Sequence, residues 1–476
     1  MPPGAFGRAR EALRHGDFRR LFGLRLASQC GDGLFQASLV ASFVFSPERA
    51  DTALRFAIAT LVVALPYSIL GPFAGVFIDR WSRRRILLRA PWLRAAAVWL
   101  VLADPDRFAV PFFVGALFVL STNRFFLSTA SAIVPRLVPT ADLLVANSMA
   151  SVGGTFATLV GAFAGGKIAE AAGPVPVLGV AAGLWILASW FARRIQNPLV
   201  PHTIPAARVR DQVGVVLHDF ADGMRRLVAT PRAIGPITSI TLDQIGQGFV
   251  LVLSLVVLRD RFGEGVGSFS NLVGAGGIGV VLGILTVGRL EERFRKERIV
   301  AGAFAIGGAA LLLASTRIAG ATMLLASFAL GLTYAWKKIA TDTIVQSSIP
   351  DGYRGRVFAV YDVGFNIARV AAGFLAVPLQ PLLGDAGSVA LVGVLFVLWS
   401  PVLPRWLART PQIDVVLEEG SPVRIRWGDV EEPVTVRHAW TGAEDRRCFR
   451  LALQDGTVVD VSATSTGWSL DRELRS

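Results

Sequence analysis

Twelve apolar runs divide this chain, most of them about 18 residues or longer, and that is the length a helix needs to cross a hydrocarbon core of roughly 30 Å. They fall at about 21–44, 56–78, 86–103, 109–131, 143–166 and 174–192, then 233–258, 266–288, 299–316, 320–341, 357–378 and 387–405. A very apolar soluble α/β enzyme would need alternating strands and turn punctuation, and neither is found before residue 410. The chain is 53% hydrophobic and only 17% charged, with its charges confined to short loops. The reading is an all-α integral membrane protein whose first span is longer than the apolar core of a signal peptide.

A net charge of +13 raises nucleic acid as a partner, but its placement points to anionic lipid headgroups instead. Basic residues cluster at Arg8–Arg20, Arg80–Arg85, Arg193–Arg232, Arg289–Arg298 and Arg354–Arg356, while alternate loops carry isolated ones such as Arg107 and Arg317. That asymmetry predicts both termini in the cytoplasm of a multi-pass protein of the cell membrane. Cys30 and Cys448 imply no disulfide framework.

The chain also repeats itself. Gly75-Val-Phe-Ile-Asp79-Arg80-Trp-Ser-Arg83-Arg84 is answered by Gly288-Arg-Leu-Glu-Glu292-Arg293-Phe-Arg-Lys, each between two apolar runs. Asp32-x-x-x-Gln36 in the first span recurs as Asp243-x-x-x-Gln247 in the seventh, 211 residues on. Ala-Ile-Val ending at Val134 and Thr-Ile-Val ending at Val345 keep the same offset. In-register matches of this kind predict two six-helix bundles, 1–192 and 233–408. Between them, 193–232 is proline-containing and then amphipathic (Val213, Val216, Leu217, Phe220, Met224 and Leu227 at helical spacing), which reads as a cytoplasmic linker helix lying in the membrane plane or as a buried loop helix. From 409 to 476 the pattern changes to short alternating strands with an Asp455-Gly456 turn, a small β-rich cytoplasmic module with Trp427, Trp440 and Trp468 available for its core. A core this small is marginal alone, so docking on the helical part is an alternative.

The Gly75-x-x-x-Asp79-Arg80-x-x-Arg83-Arg84 hairpin resembles the signature of the major facilitator superfamily between helices two and three, and Gly288 its echo between helices eight and nine. Phe18-Arg-Arg-Leu-Phe-Gly-Leu-Arg-Leu-Ala-Ser with Gly31-Asp32, Leu143-Leu-Val-Ala-Asn147 and Arg354-Gly-Arg-Val-Phe358 are similar to its drug-efflux and siderophore-export branch, which includes the enterobactin exporter and macrolide efflux pumps. The resemblance covers about residues 15 to 405. Ser82 stands where the signature usually has glycine, and the branch's Gly-Pro antiporter motif has only approximate counterparts in Gly153-Gly154 and Gly161-x-x-x-Gly165. The resemblance implies a secondary transporter without a cofactor, whose two bundles rock around a central cavity. It implies that Asp79 and Arg80 to Arg84 gate the cytoplasmic side.

Charges within spans are expensive and mark function by default. Asp32 and Asp243 fall near mid-span, and with Gln36 and Gln247 on the same faces they are expected to confront each other across the cavity. A buried carboxylate of this kind suits proton coupling; the alternative is an acid held permanently by a neighbouring helix. Arg124 is the expected internal cation, pairing with an acid such as Asp32 or with an anionic substrate group. Asp362, Asn366 and Arg369 form one polar stripe suited to lining a cavity. Lys337 is expected to snorkel to the interface, and Lys338 with Asp342 to make a local i,i+4 pair. Gly274-Ala-Gly-Gly-Ile-Gly279 matches a dinucleotide fingerprint formally, but inside an apolar span close helix packing explains it better.

The reading is a monomeric transporter rather than an enzyme, exporting a lipophilic or amphipathic small molecule against an inward proton flow. Uptake or lysolipid movement by the same fold is the alternative within transport. A membrane sensor that signals through the tail is the alternative outside it.

Overall fold

The computed structural model describes residues 11–44, 82–102, 110–139, 142–196, 209–228, 230–260, 262, 265–349 and 351–403, with six strands between 413 and 474. The helices are α1 (Gly16–Val44), α2 (Arg83–Leu102), α3 (Val110–Ala132), α4 (Leu143–Ala172), α5 (Pro174–Arg193), α6 (Val209–Val228), α7 (Pro231–Asp260), α8 (Val266–Arg293), α9 (Lys296–Thr316), α10 (Gly320–Ser348) and α11 (Asp351–Trp399). The expected spans match these helices to within several residues, except that 357–378 and 387–405 share α11, which bends at Gly384, and that the second, 56–78, lies outside the described residues. Among the described residues, eight helical segments are long and apolar enough to cross a membrane. A helix satisfies its own backbone polar groups there, as hydrocarbon cannot. Two breaks among the described residues fall on glycines of positive φ, Gly173 (φ 80°) between α4 and α5 and Gly384 (φ 65°) within α11, because that backbone region strains any side chain.

Glycine also sets how closely the helices approach. A Cβ on Gly161 of α4 would strike the Cys30 carbonyl of α1, and one on Gly33 of α1 would strike the Thr158 carbonyl of α4. The Gly274–Gly279 run works in the same way on two faces of α8. Gly274 and Gly277 lie against Phe163 and Leu159 of α4, whereas Gly276 and Gly279 lie against Ser327 and Phe328 of α10. The α4–α8 seam joins the two halves, with close approaches where α4 ends and α8 begins: Leu159, Phe163 and Gly166 meet Gly277, Gly274 and Ser270. Continuing the same faces toward the other end, Val152 and Phe156 of α4 and Leu285 of α8 are exposed. The glycine-mediated close approaches of the seam thus cluster at one end.

The linker helix α6 packs on the C-terminal half rather than lying free. Its Phe220 and Leu227 join Val345, Ile349, Val357 and Val360 in one apolar cluster. Arg356 of α11 reaches across to Asp219 (3.0 Å) and Asp222 (2.6 Å), and a Cβ on Gly223 would meet the Arg356 carbonyl.

The tail forms strands β1 (Ile413–Glu418), β2 (Ser421–Trp427), β3 (Val430–Thr441), β4 (Arg447–Leu453), β5 (Val458–Thr464) and β6 (Gly467–Leu474), paired antiparallel in sequence order into a closed barrel. Closure removes the free edges that make small sheets fragile. Register shifts in β1, β3 and β5 relieve the curvature a small barrel demands. Val415, Ile425, Phe449, Leu451, Leu453, Val459 and Val461 fill it, with Trp468 packed against them. Trp440, expected as core, instead stacks on His438 with ring centroids 5.8 Å apart and joins no core cluster. Arg450 and Asp460, opposite each other on β4 and β5, make two hydrogen bonds of 2.7 and 2.9 Å.

Candidate transport site

Asp32 sits on α1, buried. Its carboxylate pairs with Arg94 of α2, and its Oδ1 accepts a hydrogen bond from Trp185 Nε1 of α5 at 3.1 Å. Arg94 also donates to Ser28 Oγ at 3.0 Å. Its guanidinium lies over the Trp185 ring, 4.2 Å from the centroid, with the Phe126 ring 5.9 Å away. Both charged residues are buried, so neither is reached by solvent. The expected pairing of Asp32 with Arg124 is corrected here, because α2 and not α3 presents the cation to this face. Arg94 went unremarked in the sequence, although an arginine inside the run 86–103 is the same signal that singled out Asp32.

The C-terminal half builds a related cluster. Asp243 of α7 pairs with Lys337 of α10, and both side chains have 0% exposure. Gln247 Nε2 donates to Asp243 Oδ2 at 2.7 Å, the i,i+4 contact that the shared face predicts. The Lys337 ammonium stands 4.5 Å from the Phe304 ring centre and 4.9 Å from that of Phe396. Lys337 therefore does not snorkel: a carboxylate and two aromatic faces replace the water it gives up. The expectation that Asp32 and Asp243 confront each other does not hold, since each is turned into its own half by its cation.

Gln247 also borders a cavity of about 270 Å³ between α7, α8, α9, α10 and α11. Leu251, Leu272, Gly276, Leu330 and Tyr334 line it, and Leu159 of α4 is the residue it borrows from the N-terminal half. An apolar wall with an amide and a phenol suits an amphipathic guest.

The polar stripe lies on the exposed side of α11. Asp362 and Arg369 are exposed on the protein surface, and Asn366 Nδ2 donates to the Asp362 carbonyl at 2.7 Å. Arg124 reaches across from α3 to Asp362 at 3.8 Å, a bridge between the two halves. Gln36, one turn beyond Asp32, is half-buried. Lys338 and Asp342 make the local pair, 2.6 Å apart, and Tyr361 donates to Asp342 at 3.1 Å.

Of the signature hairpin, Gly75, Asp79 and Arg80 lie outside the described residues, and Arg83 and Arg84 open α2. In the second copy Gly288, Glu292 and Arg293 are exposed near the end of α8. Phe294 and Arg295 then turn the chain into α9, where Arg295 lies 3.5 Å from Glu297.

Long apolar helices in two pseudo-repeated sets, each holding a buried ion pair, with a cavity within the second set, define a multi-pass membrane transporter rather than an enzyme. The chain belongs to the Major Facilitator Superfamily, whose sequence profile matches residues 26–373 and 237–453. It is 31% identical over 392 residues to an uncharacterized MFS-type transporter of Mycobacterium tuberculosis, covering 79% of this chain and 88% of the relative. Shorter matches are to the 4-hydroxybenzoate transporter PcaK of Pseudomonas putida (25% identity, 38% of this chain and 39% of that one) and macrolide efflux protein A of Streptococcus pyogenes (32%, 22% and 26%). Among solved structures, the nucleoside transporter NupG superposes with a TM-score of 0.62 at 15% identity, covering 83% of this chain and 99% of that chain.

Proposed function

We propose that the chain exports a lipophilic or amphipathic small molecule by alternating access, driven by protons entering the cell. The observation that carries this reading is the apolar cavity joined through Gln247 to the buried Asp243–Lys337 pair. A guest in the cavity and a proton on the pair then compete for one hydrogen-bonded unit. The macrolide efflux protein supports export as the direction. The basic clusters flanking α1, α5 and the α8–α9 turn support cytoplasmic termini in the cell membrane. Arg124, Asp362, Asn366 and Arg369 line the path between the halves, and Asp79 with Arg80 forms the gate that the signature sequence describes.

Everted membrane vesicles test the reading. Energised vesicles carrying the chain should accumulate ethidium or erythromycin and lose it when a protonophore is added. Accumulation of neither compound, or accumulation indifferent to the protonophore, contradicts it. The closed barrel favours a second role, presentation of a cytoplasmic partner surface. Deleting residues 412–476 separates the two: flux that survives the deletion assigns transport to the helices alone.

A further inference from the structure

The two buried pairs are versions of one cluster with two members exchanged. At the offset of 211 residues, Ser28 corresponds to Ser239, Asp32 to Asp243, Trp185 to Phe396, and Phe126 to Lys337. Arg94 corresponds to Ala305, next to Phe304. Each half thus has a buried acid on its first helix, a cation, and two aromatic rings around that cation. In the N-terminal half the cation comes from α2 and an aromatic from α3; in the C-terminal half α9 gives the aromatic and α10 the cation. The exchange also replaces an arginine with a lysine, and that changes what the cluster can do.

An arginine keeps its proton under any condition a cell meets, and its planar fork holds several acceptors at once. Arg94 engages Asp32 and Ser28 while stacking on Trp185, and Trp185 adds a further donor to the same carboxylate. Every one of those contacts favours an ionised Asp32. A lysine is a compact ammonium that can give up its proton when buried. Lys337 has one carboxylate partner, and the second oxygen of that carboxylate is bound by Gln247, which borders the cavity. Among the described residues, few other ionisable groups face this pair. α10 contributes Tyr334, which lies within electrostatic range of Asp243, Arg369, Asp342 and Asp362. α11 contributes Arg369, whose stem packs at Gly248. α9 and the distal part of α11 present Phe304 and Phe396.

We infer that Asp243–Lys337 is the exchangeable proton site of this chain, and that Asp32–Arg94 is a permanently charged clasp. A proton arriving from the cavity side bonds to Asp243, the ion pair breaks, and the Lys337 ammonium is left against Phe304 and Phe396. Loss of that proton restores the pair. The inference deepens the proton-coupled reading and depends on it only for what the proton drives.

Infrared difference spectra of the purified full-length chain, taken between mildly acidic and alkaline buffers, read this directly through the C=O stretch of protonated carboxyl groups. One titrating carboxyl band should vanish in Asp243→Asn and in Lys337→Arg, and shift in Gln247→Leu. It should persist unchanged in Asp32→Asn combined with Arg94→Met, a pair of changes that leaves no stranded charge. A band untouched by Asp243→Asn, a band lost in the Asp32/Arg94 double variant, or no titrating band in the wild type overturns the inference. A band that behaves as expected in a chain whose flux ignores a protonophore upholds the proton site and removes proton coupling from the function.

Discussion

The two clusters should respond very differently when the acid alone is neutralised. Asp32→Asn and Asp243→Asn are nearly isosteric, and each removes the counter-charge of a fully buried cation. Breaking such a pair typically costs about 3–5 kcal/mol in a soluble protein, and a charge stranded in hydrocarbon is priced at up to about 10 kcal/mol or more. That cost has a ceiling, since the cation can discharge itself by losing its proton. For a lysine of ordinary pKa near 10.4, deprotonation at pH 7 costs about 4.6 kcal/mol; for an arginine near 12.5 it costs about 7.5 kcal/mol or more. Lys337 has the lower ceiling, and its aromatic cage suits the neutral amine as well as the ammonium. Arg94 remains charged, next to an amide and an indole. Asp32→Asn should therefore be the more destabilising change, by up to about 3 kcal/mol, the gap between the two ceilings. Adding Arg94→Met to Asp32→Asn should restore most of the loss. Denaturant titration of the three variants in one detergent measures the order. Equal stability of the two single variants, or no recovery in the double variant, refutes the reasoning.

Gly161→Ala places a methyl group against the Cys30 carbonyl and should cost roughly 1–3 kcal/mol by forcing α1 from α4, read as a lower unfolding midpoint. Arg356→Ala releases α6 from α11 at a cost of about 1 kcal/mol for a half-exposed network, and should raise amide exchange in 209–228 while leaving α9 unchanged. Phe449→Ala removes a ring from the barrel core, about 3–5 kcal/mol, and should melt the barrel without moving the helical transition.

The spans were legible because a helix crossing hydrocarbon must be apolar over a fixed length, and α7 through α11 lie where that rule puts them. The partners of the buried charges were not. Spacing of i,i+4 places Asp243 and Gln247 on one face, and the structure joins them, but it says nothing about which neighbouring helix supplies a cation. Arg94 and Lys337 are both distant in sequence from the acids they meet, so only the tertiary packing reveals them. Lys337 sits near the end of a span, where snorkelling is the default expectation; two aromatic rings and a carboxylate override it. In the tail, the middle strands alternate clearly. β1 and β6 do not, because their place in the barrel depends on pairing Ile413 with Trp468 across its whole length. The α4–α8 seam was visible only as glycines, without a partner.

The proposed alternating access requires the tightly packed end of that seam to open in each cycle. A Cβ on Gly277 would stand 3.5 Å from the Leu159 Cβ, within the range a disulfide accepts. Leu159→Cys with Gly277→Cys should therefore cross-link under mild oxidation, once any interference from Cys30 is removed by substitution. The oxidised double variant should stop moving substrate in vesicles, and a reductant should restore the flux. Wild-type flux through the fully cross-linked protein would contradict that requirement.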